Sequence, residues 1–175
     1  LQHDLTDMVG FFNGSHQPIM GVLGSDFLNK FNYSINVRDG VLSLGLEETA
    51  PTDVSFKLPV TVLENLLFID VAIQGKSFSF MLDTGASLPN INTEDFALCK
   101  GEVREIGTEQ FTLRGVSRGK QEFTRLADVS LAPGLHREIL FQIDEGTNTV
   151  SLGMLKEWIV AVYPSNGYLL LIPND

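Results

Sequence analysis

An all-β, mainly strand-built fold is what this sequence predicts. Short runs rich in Val, Ile, Leu, Phe and Thr recur between Gly, Pro, Asn and Asp punctuation. Helical signals are few and short. The chain also repeats a pattern of its own, once near its start and once near its end.

The elements follow in order. Val22-Leu23-Gly24-Ser25-Asp26-Phe27-Leu28-Asn29-Lys30-Phe31 reads as a Leu-Gly step into a short apolar-faced helix. Strands are expected at 33–37 and 41–44, joined by the polar turn Arg38-Asp39-Gly40. Residues 68–73 and 77–82 flank Gln74-Gly75-Lys76 and predict a tight hairpin. A helical turn or two is expected over 93–99. Asn92 or Thr93 would cap it, and Glu94-Asp95 would favour its positive end. Residues 111–113 and 122–124 flank Arg114 to Lys120, which predicts a second hairpin with a Gly-rich tip. Strands at 127–131 and 138–143 are joined through Ala132-Pro133-Gly134.

The ending then echoes the beginning. Ser151-Leu152-Gly153-Met154-Leu155-Lys156-Glu157-Trp158 is again a Leu-Gly step and short helix. It is followed by strands at 159–163 and 168–172 around Ser165-Asn166-Gly167. Gly40 and Gly167 are 127 apart (167 − 40), and Gly24 and Gly153 are 129 apart (153 − 24). This predicts the back half of a first repeat in 1–46, a linker in 47–53 and a complete second repeat in 54–175. The linker Glu47-Glu48-Thr49-Ala50-Pro51-Thr52-Asp53 is charged and carries Pro, as an exposed connection would.

Composition excludes several functions. The chain has 175 residues, of which 43% are hydrophobic, enough for one sizeable core or two small ones. A net charge of -10 argues against a nucleic-acid partner, whose phosphates it would repel. Arg114, Arg118, Lys120 and Arg125 cluster, and read as a solvated hairpin rather than a binding patch. Cys99 is the single cysteine, so no intrachain disulfide or thiolate metal site can form. His3, His16 and His136 lack metal-ligand spacing. Gly115 to Gly119 lacks the Lys-Ser/Thr ending of a phosphate loop, and Pro89 spoils a nucleophile elbow at Gly85-Ala86-Ser87. No cofactor is expected. The compartment stays open. Leu1 is not an initiator Met, so a processed form or fragment is expected, which leans towards a secreted or periplasmic protein.

The chemistry-bearing stretch is Phe78-Ser79-Phe80-Met81-Leu82-Asp83-Thr84-Gly85-Ala86-Ser87, an apolar strand running into Asp-Thr-Gly. In isolation Asp-Thr-Gly also reads as a turn after a strand. Followed by a hairpin and then a Leu-Gly helix, this stretch resembles the active-site loop of retropepsin-like and pepsin-like aspartic peptidases, including the bacterial type. The resemblance covers nearly the whole chain. Ser151-Leu152-Gly153 and Val22-Leu23-Gly24 are similar to the family's Leu-Gly motif, and Gly115 to Lys120 falls where its flap belongs. The chain departs from the pattern at Asn148-Thr149-Val150-Ser151, where the family often has Asp-Gly. It also shortens the second helix and has no aromatic residue in the flap tip.

The resemblance implies an acid-protease fold and hydrolysis of peptide bonds by a water held between two carboxyls. Two facing carboxyls cannot both ionise, so they share a proton. One takes a proton from the water, and the other stabilises the oxygen that develops on the carbonyl. Asp83 would be one of the pair. Thr84 would hydrogen-bond across the lobe interface, Gly85 would give its N–H to the carboxylate, and Ser87 would support it. Gly115, Val116 and Ser117 would cover the substrate. Only one Asp-Thr-Gly is present. The repeat offset would place its fellow about 45 residues before Leu1 (83 − 128 = −45). The partner carboxylate is thus expected from a missing upstream repeat or from a second copy of the chain. The rival expectation is a catalytically inactive binding or assembly module on the same fold.

Overall fold

The computed structural model describes residues 23–48, 55–86, 88–112 and 115–174, with the backbone alone described within 108–118. Thirteen strands, β1 to β13, fall into two sheets, and the all-β expectation holds.

The first sheet runs β2-β1-β12-β13-β3. Its strands are β1 (Tyr33–Asn36), β2 (Val41–Leu44), β3 (Phe56–Pro59), β12 (Trp158–Tyr163) and β13 (Tyr168–Pro173). All four pairings are antiparallel. The two stretches that echo one another in sequence therefore lie side by side, β1 on β12. Gly40 and Gly167 both take positive φ (65° and 70°) in the turns that follow, a backbone state glycine adopts without steric cost.

The second sheet runs β4-β5-β6-β11-β7-β10-β9-β8. It contains β4 (Thr61–Leu63), β5 (Leu66–Ile73), β6 (Lys76–Asp83), β7 (Asn90–Asn92), β8 (Val103–Thr112), β9 (Gly115–Ser130), β10 (His136–Asp144) and β11 (Thr149–Ser151). β5 also pairs with β9, through Ala72–Ser130 and Ile73–Val129, so the pairings close into a ring. The bend that allows this sits at Asp128, which has φ 58° and whose carbonyl accepts a hydrogen bond from Gln74 N at 3.0 Å.

Strand alternation explains the core. In β5, Leu67, Ile69, Val71 and Ile73 point inward, and Phe78 and Phe80 of β6 do the same. Phe80 meets Phe141 of β10 with ring centroids 6.0 Å apart. Leu155, Val160, Val162, Leu169 and Leu171 join this core from the first sheet's side.

Helices are as short as expected. Helix α1 (Ser25–Leu28) follows Gly24, and α2 (Thr93–Phe96) is capped by Asn92, whose side chain accepts from Asp95 N at 2.7 Å. The second Leu-Gly step forms a 3₁₀ turn over Leu152–Leu155, with Ser151 Oγ accepting from Met154 N.

The first hairpin forms with Gln74-Gly75 as its two-residue turn (φ 52° and 79°). The second hairpin differs from expectation. Gly115 to Lys120 are not a loop but the start of β9, paired from Thr112–Gly115 down to Gly107–Lys120. Gly107 faces Lys120 and Gly119 faces Thr108, so both glycines sit inside a ladder rather than at a turn. Residues 127–131 belong largely to the same long β9 rather than to a separate strand.

Candidate functional site

Asp83 is the last residue of β6, and what holds it differs from what holds the rest of its strand. β5 pairs with β6 from Ile73–Lys76 only as far as Phe68–Met81. Beyond Met81 the sheet support among the described residues comes from β11, running parallel, with Val150 opposite Leu82 and Ser151 opposite Asp83. The strand thus ends in a chain end stitched on one side, and Asp83 is half-buried there.

The turn that follows closes on the carboxylate. Gly85 N donates to Asp83 Oδ1 at 2.8 Å. A backbone N–H aimed at a carboxylate makes a charge-assisted bond and fixes the direction of the side chain. Gly85 does not need positive φ here. It needs space, since a Cβ on it would stand 3.3 Å from that same Oδ1. Among the described residues Gly85 supplies the only hydrogen bond to the Asp83 side chain. Thr84 is exposed. Ser87 lies outside the described residues.

β11 is only three residues long, and a polar cluster anchors it. Asn148, 3% exposed, stands immediately before it. Its backbone carbonyl accepts from Met81 N at 2.9 Å. Its side-chain Nδ2 donates to Ser79 O at 3.2 Å and to Asp95 Oδ2 at 2.6 Å. Its Oδ1 accepts from Asn92 N at 2.7 Å. Asp95 Oδ2 also takes Asn92 Nδ2 at 3.0 Å. Beside this, Asn90 N donates to Thr149 Oγ1 at 3.1 Å, and Asn90 Nδ2 reaches Asp144 Oδ1 at 2.9 Å and Thr147 O at 3.1 Å. Polar groups linked this extensively set geometry more than they add stability.

The sequence singles out Asp83 and its loop but not this support. Asn92 is legible as a cap, whereas Asn148 shows only as a departure from the family pattern. Its partners Asp95 and Ser79 lie 53 and 69 residues away along the chain, beyond any local signal.

The expected flap residues Gly115, Val116 and Ser117 lie in β9, opposite Thr112, Phe111 and Gln110. No pairing between described residues joins β6 directly to β8 or β9. Cys99 donates to Asp95 O at 3.5 Å, and burial pushes its thiol pKa up. Lys76 opposes that rise and Asp95 adds to it, and the side chain packs against the core. His136 Nδ1 lies 2.5 Å from Asp128 Oδ1, an exposed pair, while His3 and His16 lie outside the described residues. Among the described residues no cluster of three metal-ligating side chains occurs, and no helix is long and apolar enough to cross a membrane.

No protein-family profile matches the chain, and no curated protein does. Two solved proteases are similar to it. A retropepsin-like aspartic protease from Rickettsia conorii is 18% identical, with 67% of this chain and 88% of that one covered, at a TM-score of 0.46. EIAV protease in complex with the inhibitor HBY-793 is 20% identical, with 54% of this chain and 88% of that one covered, at a TM-score of 0.44.

Proposed function

We propose that this chain is part of an aspartic endopeptidase, with Asp83 as one carboxyl of a catalytic pair and no metal or cofactor involved. The observation that carries the reading is the Asp83 loop. A half-buried carboxylate ends a strand, one oxygen is fixed by Gly85 N at 2.8 Å, and the other has no partner among the described residues. A water between that oxygen and a second carboxyl would be activated by the ionised member of the pair, while the protonated member stabilised the oxygen developing on the scissile carbonyl. Thr84, exposed at the tip of the loop, suits a contact across a lobe interface. Gly115, Val116 and Ser117 would cover the peptide from the β8–β9 hairpin.

The second carboxyl is assigned to an upstream repeat or to a second copy of this chain. Two features support a shared architecture of that kind. The segments over 25–44 and 152–173 repeat the order short helix, strand, turn, strand, and they meet as neighbours in one sheet. In addition, β2 is at the edge of its sheet among the described residues and exposes Val41, Leu42 and Leu44, apolar side chains suited to a covering partner. On this reading 1–46 is the back half of a first lobe, 47–53 the linker and 54–175 a complete lobe.

Replacing Asp83 by Asn tests the assignment. The substitution keeps the shape of the side chain and removes its ability to ionise, so peptide cleavage across acidic pH should fall by at least about 10³-fold, the scale of an essential catalytic group. Retained cleavage by Asp83→Asn would overturn it. A wild-type chain that binds peptide without cutting it, even with its partner present, would instead favour a non-catalytic binding module.

A further inference from the structure

We infer that Asn148 is a positioning residue for Asp83, acting through β11 and with no contact to substrate. The inference deepens the peptidase reading and rests on it for its functional meaning, though not for its geometry.

The argument begins with what is missing beside Leu82 and Asp83. β5 supports β6 up to Met81 and no further. The last two residues of the strand depend on Val150 and Ser151 of β11. Three residues of strand cannot fix their own place in a sheet. On its far side β11 meets β7 at a single register pair, Thr149–Asn90. Asn90 adds bonds to Thr149 Oγ1 and Thr147 O on that side, and the anchorage that ties β11 to both β6 and α2 is Asn148, which binds in two directions at once. Towards β6 it takes Met81 N on its carbonyl and gives Nδ2 to Ser79 O. Towards α2 it gives Nδ2 to Asp95 Oδ2 and takes Asn92 N on Oδ1. The amide uses both its donor and its acceptor ends, which neither a carboxylate nor an aliphatic side chain can do in that place. The corner Asn92–Asp95 is itself locked by its cap bonds, so it serves as the fixed point from which Asp83 is placed.

The replacement Asn148→Asp turns this into a measurement. It keeps shape and volume but sets a second carboxyl against Asp95 Oδ2, where an N–H now donates at 2.6 Å. Such a pair is stable only while it shares a proton. The charged groups around that corner are Glu94 on the same short helix, Asp144, whose Oδ1 is bound to Asn90, and Lys76, which acts on the Cys99 thiol that contacts Asp95 O. At acid pH the protonated carboxyl introduced at position 148 restores the donor to Asp95 Oδ2, though not the second N–H that Ser79 O accepts. As pH rises and that proton is lost, the clamp opens.

The readout is the Gly85 amide, because its proton lies on Asp83 Oδ1. In wild type its NMR resonance should follow only the ionisation of Asp83 together with any carboxyl paired with it. In Asn148→Asp it should show a further step that the wild type lacks, with the remainder of the spectrum still dispersed. Peptide cleavage should lose kcat over that added step while KM changes little. If Asn148→Asp fails to fold, Asp95→Asn serves in its place: the acceptor loses its charge, and the Gly85 resonance should move from its wild-type position in a folded protein. A Gly85 resonance with wild-type position and titration in whichever variant folds would overturn the inference. Because this readout needs no turnover, a chain that proves inactive would sink the peptidase reading and leave the positioning of Asp83 standing.

Discussion

Ser34 of β1 lies directly opposite Ala161 of β12. The two are separated by 127 residues (161 − 34), the same offset that relates Gly40 to Gly167. Each would be the counterpart of the other in the repeat that the sequence predicts, and each is the other's partner in the sheet. An antiparallel pair in which counterparts face one another is what a local two-fold axis produces. Tyr33 opposite Val162 and Ile35 opposite Val160 are related across it in the same way.

That register is open to a direct test. With Cys99 replaced by Ser, the pair Ser34→Cys and Ala161→Cys should form a disulfide on mild oxidation, since facing residues in antiparallel strands lie within about 4.5–5.5 Å at Cα. The bridge should raise the melting temperature in non-reducing conditions. Moving one cysteine to Val162 should abolish it, because a one-residue step turns the side chain to the opposite face. Efficient bridging by the shifted pair would show the register to be wrong.

At the site, Gly85→Ala is expected to weaken cleavage without unfolding the chain. The added methyl would stand 3.3 Å from Asp83 Oδ1 and press on the atom that Gly85 N holds. A loss of about 1 kcal/mol of that hydrogen bond corresponds to roughly a five- to tenfold fall in kcat/KM. The melting temperature should move little. Unchanged kcat/KM would mean that the Gly85–Asp83 bond plays no part in the reaction.

Gly101 makes a different kind of prediction, one about stability. A Cβ there would lie 2.5 Å from Thr124 Oγ1 and 2.8 Å from Leu126 Cδ2, both buried in β9. Making room means turning packed side chains, Thr124 and Leu126 with Phe96 at 3.3 Å beside them, so Gly101→Ala should cost about 1–3 kcal/mol in urea unfolding. A midpoint within error of wild type would show the corner to be looser than its contacts indicate.

Alkaline unfolding should report on Tyr33. Burial pushes its phenol pKa from 10.0 up to about 12. The unfolded chain ionises its tyrosine first, so the folded state is undisturbed below pH 10 and loses ground as pH rises from 10 towards 12. The loss approaches about 2–3 kcal/mol at the top of that window. Tyr33→Phe should flatten this part of the stability profile. An equally steep profile in the variant would place the cause elsewhere.

Much of this architecture is legible in the sequence because its signals are local. Gln74-Gly75 between two apolar runs marks its hairpin, and Asn92 with Asp95 marks a cap. The turn Glu64-Asn65 between β4 and β5 escapes a sequence reading, since both residues carry positive φ without any glycine to announce it (51° and 65°). The β8–β9 ladder runs further than the sequence suggests. Gly115 and Gly119 read as turn residues, whereas a long two-stranded ladder accommodates them. β11 is invisible as a strand. Three residues carry no periodicity, and its partner in β6 lies 68 positions upstream (149 − 81). Asp83 can therefore be found from its neighbours in sequence, but the hold on Asp83 cannot.

The one-sided seam between β6 and β11 has a consequence for how the molecule is made. Residue 83 emerges from the ribosome well before residues 148 to 151, and until they arrive the end of β6 has nothing to lean on. Closing so distant a pair is slow compared with forming either hairpin. A nascent or prematurely ended chain would carry the Asp-Thr-Gly sequence without its geometry. The placement of Asp83 therefore depends on a segment that is synthesised some 65 residues later (148 − 83).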